Sequence, residues 1–369
     1  MVEKQFDQLG PIFKFSLPWK GDNIFVKDPE QIKVVLSNDG KYPIKPDFDA
    51  FIYYRNKIRK ELFSETGGLL GSHGEEWYKT RSLVQQDMLR SKSALYYIND
   101  IEDISEESIE VISNSLDDNS EVEDLLEIVY KWSLESIASI FLGTRLNCIK
   151  ENLNDGTESK KFIDAIKVVL GPDAKDMVLN PPVWKYISTP GFRRFDEACV
   201  QGYNISKTMI DKTIAELQSK HKDNDGNDIG ILEKFIQRCG KDSQIPLGKI
   251  ITFNNHFCKF LGFVVMSQDA IGAGVDTTGV TASFFLLDLA KNPDKQQLLY
   301  EEVKNIIGKE PISESKLNQM RYLKACLHES QRVSPAVFGF SRQSQVDMVL
   351  EGYQIPKGVQ IRYRQTFQS

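Results

Sequence analysis

Residues 273–278 read Ala-Gly-Val-Asp-Thr-Thr, in the middle of an apolar run from Ser267 to Lys291 that contains no proline. After Asp276 the next charge in that run is Asp288. A stretch that is apolar nearly all round predicts a buried central helix, because a surface helix carries a polar face. Asp276, Thr277 and Thr278 are costly in that setting unless they are hydrogen-bonded or used chemically. Gly272, Gly274 and Gly279 weaken the helix by up to about 1 kcal/mol each relative to alanine. They also remove side chains where another object can lie against the backbone. Together these features predict a helix distorted beside a flat ligand, with a polar relay at the point of contact. The competing reading is local: Thr277 and Thr278 bond back to carbonyls one turn earlier, and Asp276 is a satisfied core acid.

Two further patterns flank this helix. Downstream, residues 322–335 read Tyr-Leu-Lys-Ala-Cys-Leu-His-Glu-Ser-Gln-Arg-Val-Ser-Pro. Glu329 and Arg332 are three apart, so on a helix they share a face and can pair. Leu323, Leu327 and Val333 supply its apolar side, and Pro335 ends it. Upstream, Trp77-Tyr-Lys-Thr-Arg81 puts an indole N–H and a forked cation on one helical face, where both can meet the same anion. Each pair also has an ordinary reading, as a surface ion pair and as a surface aromatic–cation contact.

Taken in order, the three patterns resemble the cytochrome P450 family, over about Phe6 to Ile361. The resemblance implies a mainly α fold, a triangular helical prism with a small β-sheet subdomain at one corner. It identifies the central helix with the family's oxygen-activating A-G-x-[DE]-T-[TS] motif, in which Asp276 and Thr277 relay protons and Ala273 and Gly274 lie against the cofactor. Glu329 and Arg332 match the family's E-x-x-R pair. Trp77, Arg81 and Arg342 match its binders of the haem propionates. The implied activity is insertion of one oxygen atom from O2 into an apolar organic substrate, with haem b (iron protoporphyrin IX) as cofactor.

Residues 41–59 and the segment Gly68-Leu-Leu-Gly-Ser-His-Gly-Glu-Glu-Trp77 are similar to the mitochondrial clan of that family. Lys324 matches the first of two lysines by which that clan docks an acidic ferredoxin, and His328 stands where the second would be. The clan resemblance implies a ferredoxin-type donor and the matrix side of the mitochondrial inner membrane. A microsomal member would use a reductase at the endoplasmic reticulum, and either setting allows peripheral membrane association. Val337 and Phe338 are candidate pocket walls, and the loop near 171–192 is a candidate lid.

One departure concerns the metal. The family holds haem iron by a cysteine thiolate, which pushes electron density toward O–O cleavage, in a loop well after the E-x-x-R helix. Cys148, Cys199, Cys239, Cys258 and Cys326 all precede Arg332, so no metal ligand is assigned. The expectation is an incomplete domain over residues 1–361 with its C-terminal part missing, followed by an atypical polar tail at 362–369. An inactive truncated or splice form is the alternative to an active monooxygenase. Residues 248–265 read as an insertion ahead of the central helix.

Composition is that of a globular chain, with 41% hydrophobic and 27% charged residues. The net charge of −6 gives no support for nucleic-acid binding. No unbroken run of 18 apolar residues occurs, so no membrane-spanning helix is expected. The cysteines lack regular spacing, which predicts reduced thiols and an intracellular site, and the four histidines lack metal-ligand spacing. Ile12–Leu17 and Asn23–Lys27 read as strands. Asp28-Pro29 reads as a helix start. Helical patterns follow around 75–90, 96–115, 121–142, 158–170, 191–220 and 228–239. Another starts at Asn292-Pro-Asp294 and runs to about Ile307, and short strands are expected over Val337–Ile361.

Overall fold

The computed structural model describes residues 2–63, 67–88, 95–150, 156–220, 231–232, 234, 254–308, 310–337 and 339–363. Its helices, in chain order, are α1 (Val2–Leu9), α2 (Pro29–Ser37), α3 (Asp49–Tyr53), α4 (Lys60–Phe63), α5 (Gly74–Met88), α6 (Ile98–Asn114) and α7 (Leu125–Leu142). There follow α8 (Glu158–Val169), α9 (Pro172–Leu179), α10 (Pro190–Lys220), α11 (Asn254–Ala290), α12 (Pro293–Ile306), α13 (Glu314–Gln319) and α14 (Arg321–Val333). The strands are β1 (Ile12–Leu17), β2 (Gly21–Val26), β3 (Phe340–Gln343), β4 (Met348–Leu350), β5 (Tyr353–Ile355) and β6 (Gln360–Tyr363). The architecture is mainly α with two small sheets, as the resemblance implied.

Local chemistry explains the boundaries. Asp28 Oδ1 accepts from the N–H groups of Glu30 (2.9 Å) and Gln31 (3.0 Å), and Pro29 opens α2 where its missing N–H is not needed. Asp124 caps α7 by accepting from Glu127 N–H at 3.0 Å. That helix stops at Gly143, whose φ of 69° is left-handed and cheap only for glycine. The chain beyond it folds back on Glu135, which is fully buried and accepts from Arg145 Nε and from the N–H groups of Leu146, Asn147 and Cys148.

The first sheet has the order β1-β2-β6-β3: β1 and β2 form an antiparallel hairpin, β6 runs parallel to β2, and β3 runs antiparallel to β6. Asn23 faces Gln360 in this register, which ties the beginning of the chain to residues 360–363. Ile24, Val26 and Ile361 pack on α2 through Ile32 and Val35 in a small core. The main core lies among α7, α8, α10 and α11 and includes Leu134, Phe141, Ile163, Phe195, Ile210, Val264 and Ile271.

Several expectations need correction. The polar character of Arg362 and Tyr363 does not end the sheet: both belong to β6, paired with Phe25 and Val26. Residues 364–369 lie outside the described residues. The central helix starts at Asn254, not Ser267, so part of the 248–265 stretch extends it; residues 248–253 lie outside the described residues. Most of the 228–239 pattern also lies outside them. The 171–192 segment is not an open loop, for it holds α9 and a short 3-10 turn at Val183–Lys185. Val264–Ala290, at mean hydropathy 1.3, is long and apolar enough to cross a membrane by length and composition, although polar residues interrupt it. In this fold it is the helix against which α7, α10 and α14 pack.

One buried ion pair locks the early segment to that helix. Tyr54–Ile58 forms a π-helical turn, which aims Arg55 inward. Arg55 Nη2 donates to Asp269 Oδ1 (2.6 Å), and Nη1 donates to Asp269 Oδ2 (3.0 Å) and Gly67 O (2.7 Å). Leu70 N–H adds a bond to Asp269 Oδ2 at 3.1 Å. Burial opposes the charge on Arg55, but the field and hydrogen bonds of Asp269 outweigh it and raise the guanidinium above its ordinary range. Arg55→Met would strand a buried carboxylate and is expected to cost about 3–5 kcal/mol in urea unfolding. Arg55→Met combined with Asp269→Leu is expected to cost clearly less, and equal losses in the two variants would refute the stranded-charge account.

Candidate functional site

The 273–278 hexapeptide faces α7 along much of its length. Thr277 Oγ1 donates to Ala273 O at 2.7 Å, so its hydroxyl closes a bond to the previous turn. Asp276 Oδ1 accepts from the hydroxyl of Tyr130 at 2.7 Å. Burial, then the hydrogen bond and charge of Asp276, pushes the Tyr130 phenol well above its ordinary value, so it stays a donor. Ser133 Oγ lies within bonding distance of two carbonyls of α11, those of Gly274 (3.1 Å) and Val275 (3.0 Å). A Cβ on Gly274 would meet Ile137 Cγ1 at 2.8 Å, and one on Gly279 would meet the Tyr130 ring at 3.3 Å.

These distances correct the reading of the glycines. Gly274 was expected to open a groove for a ligand against the backbone, but its open side is filled by Ile137 of α7. Both glycines allow close helix–helix approach. Nor is α11 broken there, since the helix is continuous from Asn254 to Ala290. Ala273 and Thr277, four apart, share another face. Ala273 lines a hollow with Gly272, Gln268, Ile166 and Phe162. Val337 is partly exposed and is absent from that lining, and Phe338 lies outside the described residues.

A second group of side chains gathers at the start of α5. Arg81 Cζ sits 4.9 Å from the Trp77 ring centroid, as the one-face reading predicted. Lys45 Nζ stands 4.4 Å from the same ring. Burial, then the positive charges of Arg342 and Arg81, lowers Lys45 from 10.5 to about 8. Three cations therefore converge. Arg342, expected to be available to an anionic ligand, already donates from Nε to Asp39 Oδ2 at 2.6 Å. Lys45 N–H donates to His73 Nδ1 (3.4 Å), which leaves the His73 proton on Nε2, facing Asp49 Oδ1 at 2.9 Å.

The remaining predicted residues lie elsewhere. Glu329 and Arg332 form a bidentate pair, both bonds 2.7 Å, with about half of each side chain exposed. At that exposure solvent screens the pair, so it stabilises the fold little. Lys324 is exposed on the same helix.

Whether these residues suit haem has two answers. The cations around Trp77 suit the acid groups of such a cofactor, since Lys45 has no carboxylate within ion-pair distance among the described residues. The iron finds no thiolate there. The Cys148 thiol is fully buried and donates to Lys131 O at 3.7 Å. Burial pushes Cys199 up to about 12, and burial also raises Cys326, so both stay protonated. Cys239 and the side chain of Cys258 lie outside the described residues.

Lys45 and Tyr130 escaped the sequence reading. Lys45 is far from Trp77 and Arg81 in the chain, and only folding brings them together. Tyr130 carried one usable signal: a tyrosine inside an apolar helix needs a partner for its hydroxyl.

Comparison with known proteins gives one family. The profile described as Cytochrome P450 matches residues 1–363. The chain is 32% identical over 362 residues to cytochrome P450 CYP12A2 of Musca domestica, covering 95% of this chain and 63% of that relative. It is 30% identical over 358 residues to probable cytochrome P450 301a1, mitochondrial, of Drosophila melanogaster, covering 96% and 61%. With probable cytochrome P450 12c1, mitochondrial, of the same fly, identity is 28% over 373 residues, covering 100% and 66%. The chain thus spans roughly three-fifths of the length of the curated relatives it matches.

Two outcomes are expected from this geometry. Gly274→Ala should destabilise the protein by about 1–3 kcal/mol despite its better helix propensity. Combining it with Ile137→Ala should cost less than the sum of the two changes, and additive losses in a double-mutant cycle would remove the close-approach account. Lys45 titrates near 8 when folded and at its ordinary 10.5 when unfolded, so between those values the unfolded chain binds more protons. Stability contributed by this group therefore rises with pH across that window. Lys45→Met should flatten the rise in urea midpoint between pH 8 and 10, and an unchanged slope would count against it.

Proposed function

The chain belongs to the cytochrome P450 family, and from that premise we propose that the protein is a haem-dependent monooxygenase acting on an apolar organic substrate. The observation that carries this reading is the presence of two features in one fold. One is the cation group of Lys45, Arg81 and Arg342 beside Trp77, and the other is the apolar hollow bordered on α11 by Gly272 and Ala273, one turn before Thr277. When bound, haem supplies the redox chemistry that activates O2.

The chain's own residues have these roles in the proposal. Lys45 and Arg81 hold the acid groups of the cofactor, with Trp77 as a rigid platform between them and the start of α5. Arg342 adds its field, although Asp39 already neutralises part of it. Thr277 Oγ1 carries the proton at the reacting face, and it must leave Ala273 O to deliver it. Asp276 holds the next proton position, oriented by the Tyr130 hydroxyl. Glu329 and Arg332 form a structural pair on α14. Lys324 is the docking cation for a ferredoxin-type donor, and the relatives named mitochondrial support the mitochondrion as the site of action.

A second reading has its own observation. None of the three described cysteines is disposed as a thiolate, which favours a form without oxygenase activity unless the ligand comes from outside the described residues. The reduced, CO-bound absorption spectrum of the chain with added haem separates the two. A red-shifted Soret band, the mark of thiolate ligation, is expected of the monooxygenase, and its absence would leave the inactive form. In an active preparation, Thr277→Ala is expected to lower turnover about 10²-fold or more with substrate affinity unchanged. A fall in affinity alone would assign Thr277 to binding instead.

A further inference from the structure

Residues 93–130 contain twelve acidic side chains and no lysine, arginine or histidine, so the remainder of the chain is net positive. They span α6, the turn after it and the start of α7. The two helices are antiparallel neighbours: Trp132 Nε1 donates to Ser105 Oγ at 3.0 Å, and Ser139 Oγ donates to Asp100 Oδ2 at 3.0 Å. In the turn, Asp117 N–H donates to Glu121 O at 2.9 Å, while Asp117 Oδ1 accepts from the N–H groups of Asn119 and Glu121. That closed turn puts Leu116 at the same end of the helix pair as Leu125 and Leu126.

Apolar side chains stay outside here. Ile109 is 61% exposed, Leu116 48% and Leu126 46%, and none of them joins either core. Ile109, Ile112 and Leu116 keep the i, i+3, i+7 spacing of one helical stripe, offset from the buried side marked by Ile104 and Ser108. Single exposed apolar residues are ordinary, but a stripe of them is the anchor row that an amphipathic partner helix needs.

Charge decides which partner fits. Arg145 and Lys150 border this face, but Glu107 and Glu110 already engage them at 2.8 and 3.5 Å. Asp103, Glu106, Asp118, Glu121 and Glu123 are exposed and form no ion pair among the described residues. Uncompensated carboxylates around an apolar stripe repel an anionic lipid surface or a nucleic acid and attract a cationic surface. We propose that the α6–α7 face docks a basic amphipathic helix of another protein, with its apolar side on Ile109, Leu116 and Leu126 and its cations against the flanking acids. The inference needs neither haem nor the monooxygenase reading.

Fluorescence anisotropy on the 369-residue chain tests it with labelled helical peptides of equal length. One peptide carries leucines on one face and lysines on the other, a second has serine for each leucine, and a third has glutamate for each lysine. The lysine–leucine peptide is expected to bind at least tenfold more tightly than either of the others, and more weakly as salt rises. Ile109→Ser with Leu126→Ser is expected to bring it down to the lysine–serine level. Asp103→Asn with Glu106→Gln is expected to weaken both cationic peptides and to flatten the salt dependence. Equal binding of the two cationic peptides, tightest binding of the glutamate peptide, binding of none of the three, or an affinity that neither pair of substitutions changes would overturn the proposal. So would sedimentation showing that the chain dimerises by itself and that Ile109→Ser abolishes the dimer, because the face would then belong to a second copy.

Discussion

The approach of α7 to α11 is the constraint on which the rest of the structure depends. Two glycines and the residues facing them set the distance: Ile137 fills the side of Gly274, and the Tyr130 ring covers Gly279. At that separation the polar groups of α11 reach partners on α7, so Tyr130 meets Asp276 and Ser133 meets the Gly274 and Val275 carbonyls. The acid that looked expensive in an apolar helix is thereby satisfied, while Thr277 bonds back to Ala273 O within α11 and Thr278 is exposed. Fixing α11 against α7 also decides which face remains for the hollow, namely the one bearing Gln268, Gly272 and Ala273.

Charge is distributed unevenly around this scaffold. At Arg55 and Asp269 the two signs cancel within the core, and the contact contributes connection between segments instead of a field. Near Trp77 the balance is different, because the mutual repulsion of Lys45, Arg81 and Arg342 outweighs the opposing fields of Asp269 and Asp39. A neutral apolar space and a positively charged rim thus belong to different parts of one fold.

Periodicity and composition made the long elements legible. The apolar run around 273–278 does form a central helix, though its second half is only partly covered and exposes Leu286 and Leu287, Asp28-Pro29 does open α2, and Ile12–Leu17 is a strand as expected. The early start of α11 was hidden because Asn254–Met266 lies upstream of the polar signature that anchored the reading. Arg362 and Tyr363 looked like a tail because polarity in four residues cannot reveal parallel pairing with a strand more than 300 positions away. Site residues divided similarly. Trp77 with Arg81 and Glu329 with Arg332 are helical neighbours whose spacing is visible in the chain. Lys45 and Tyr130 act across tertiary contacts, where spacing carries no information. The direction of Gly274 was misjudged for the same reason: a missing side chain announces close approach but not by what.

The Arg55–Asp269 bridge has a consequence for how the molecule reaches its folded form. It joins positions 214 residues apart, so closing it carries the entropy cost of bringing two distant segments together. Loop-closure entropy makes such contacts late, and their loss requires separating whole segments instead of fraying one end. The early segment around Tyr54–Ile58 and the middle of α11 therefore open together as one cooperative unit. Amide protons on both would exchange with solvent at a common rate, slower than those of the exposed turns, and the hollow between them would exist only while that unit is shut.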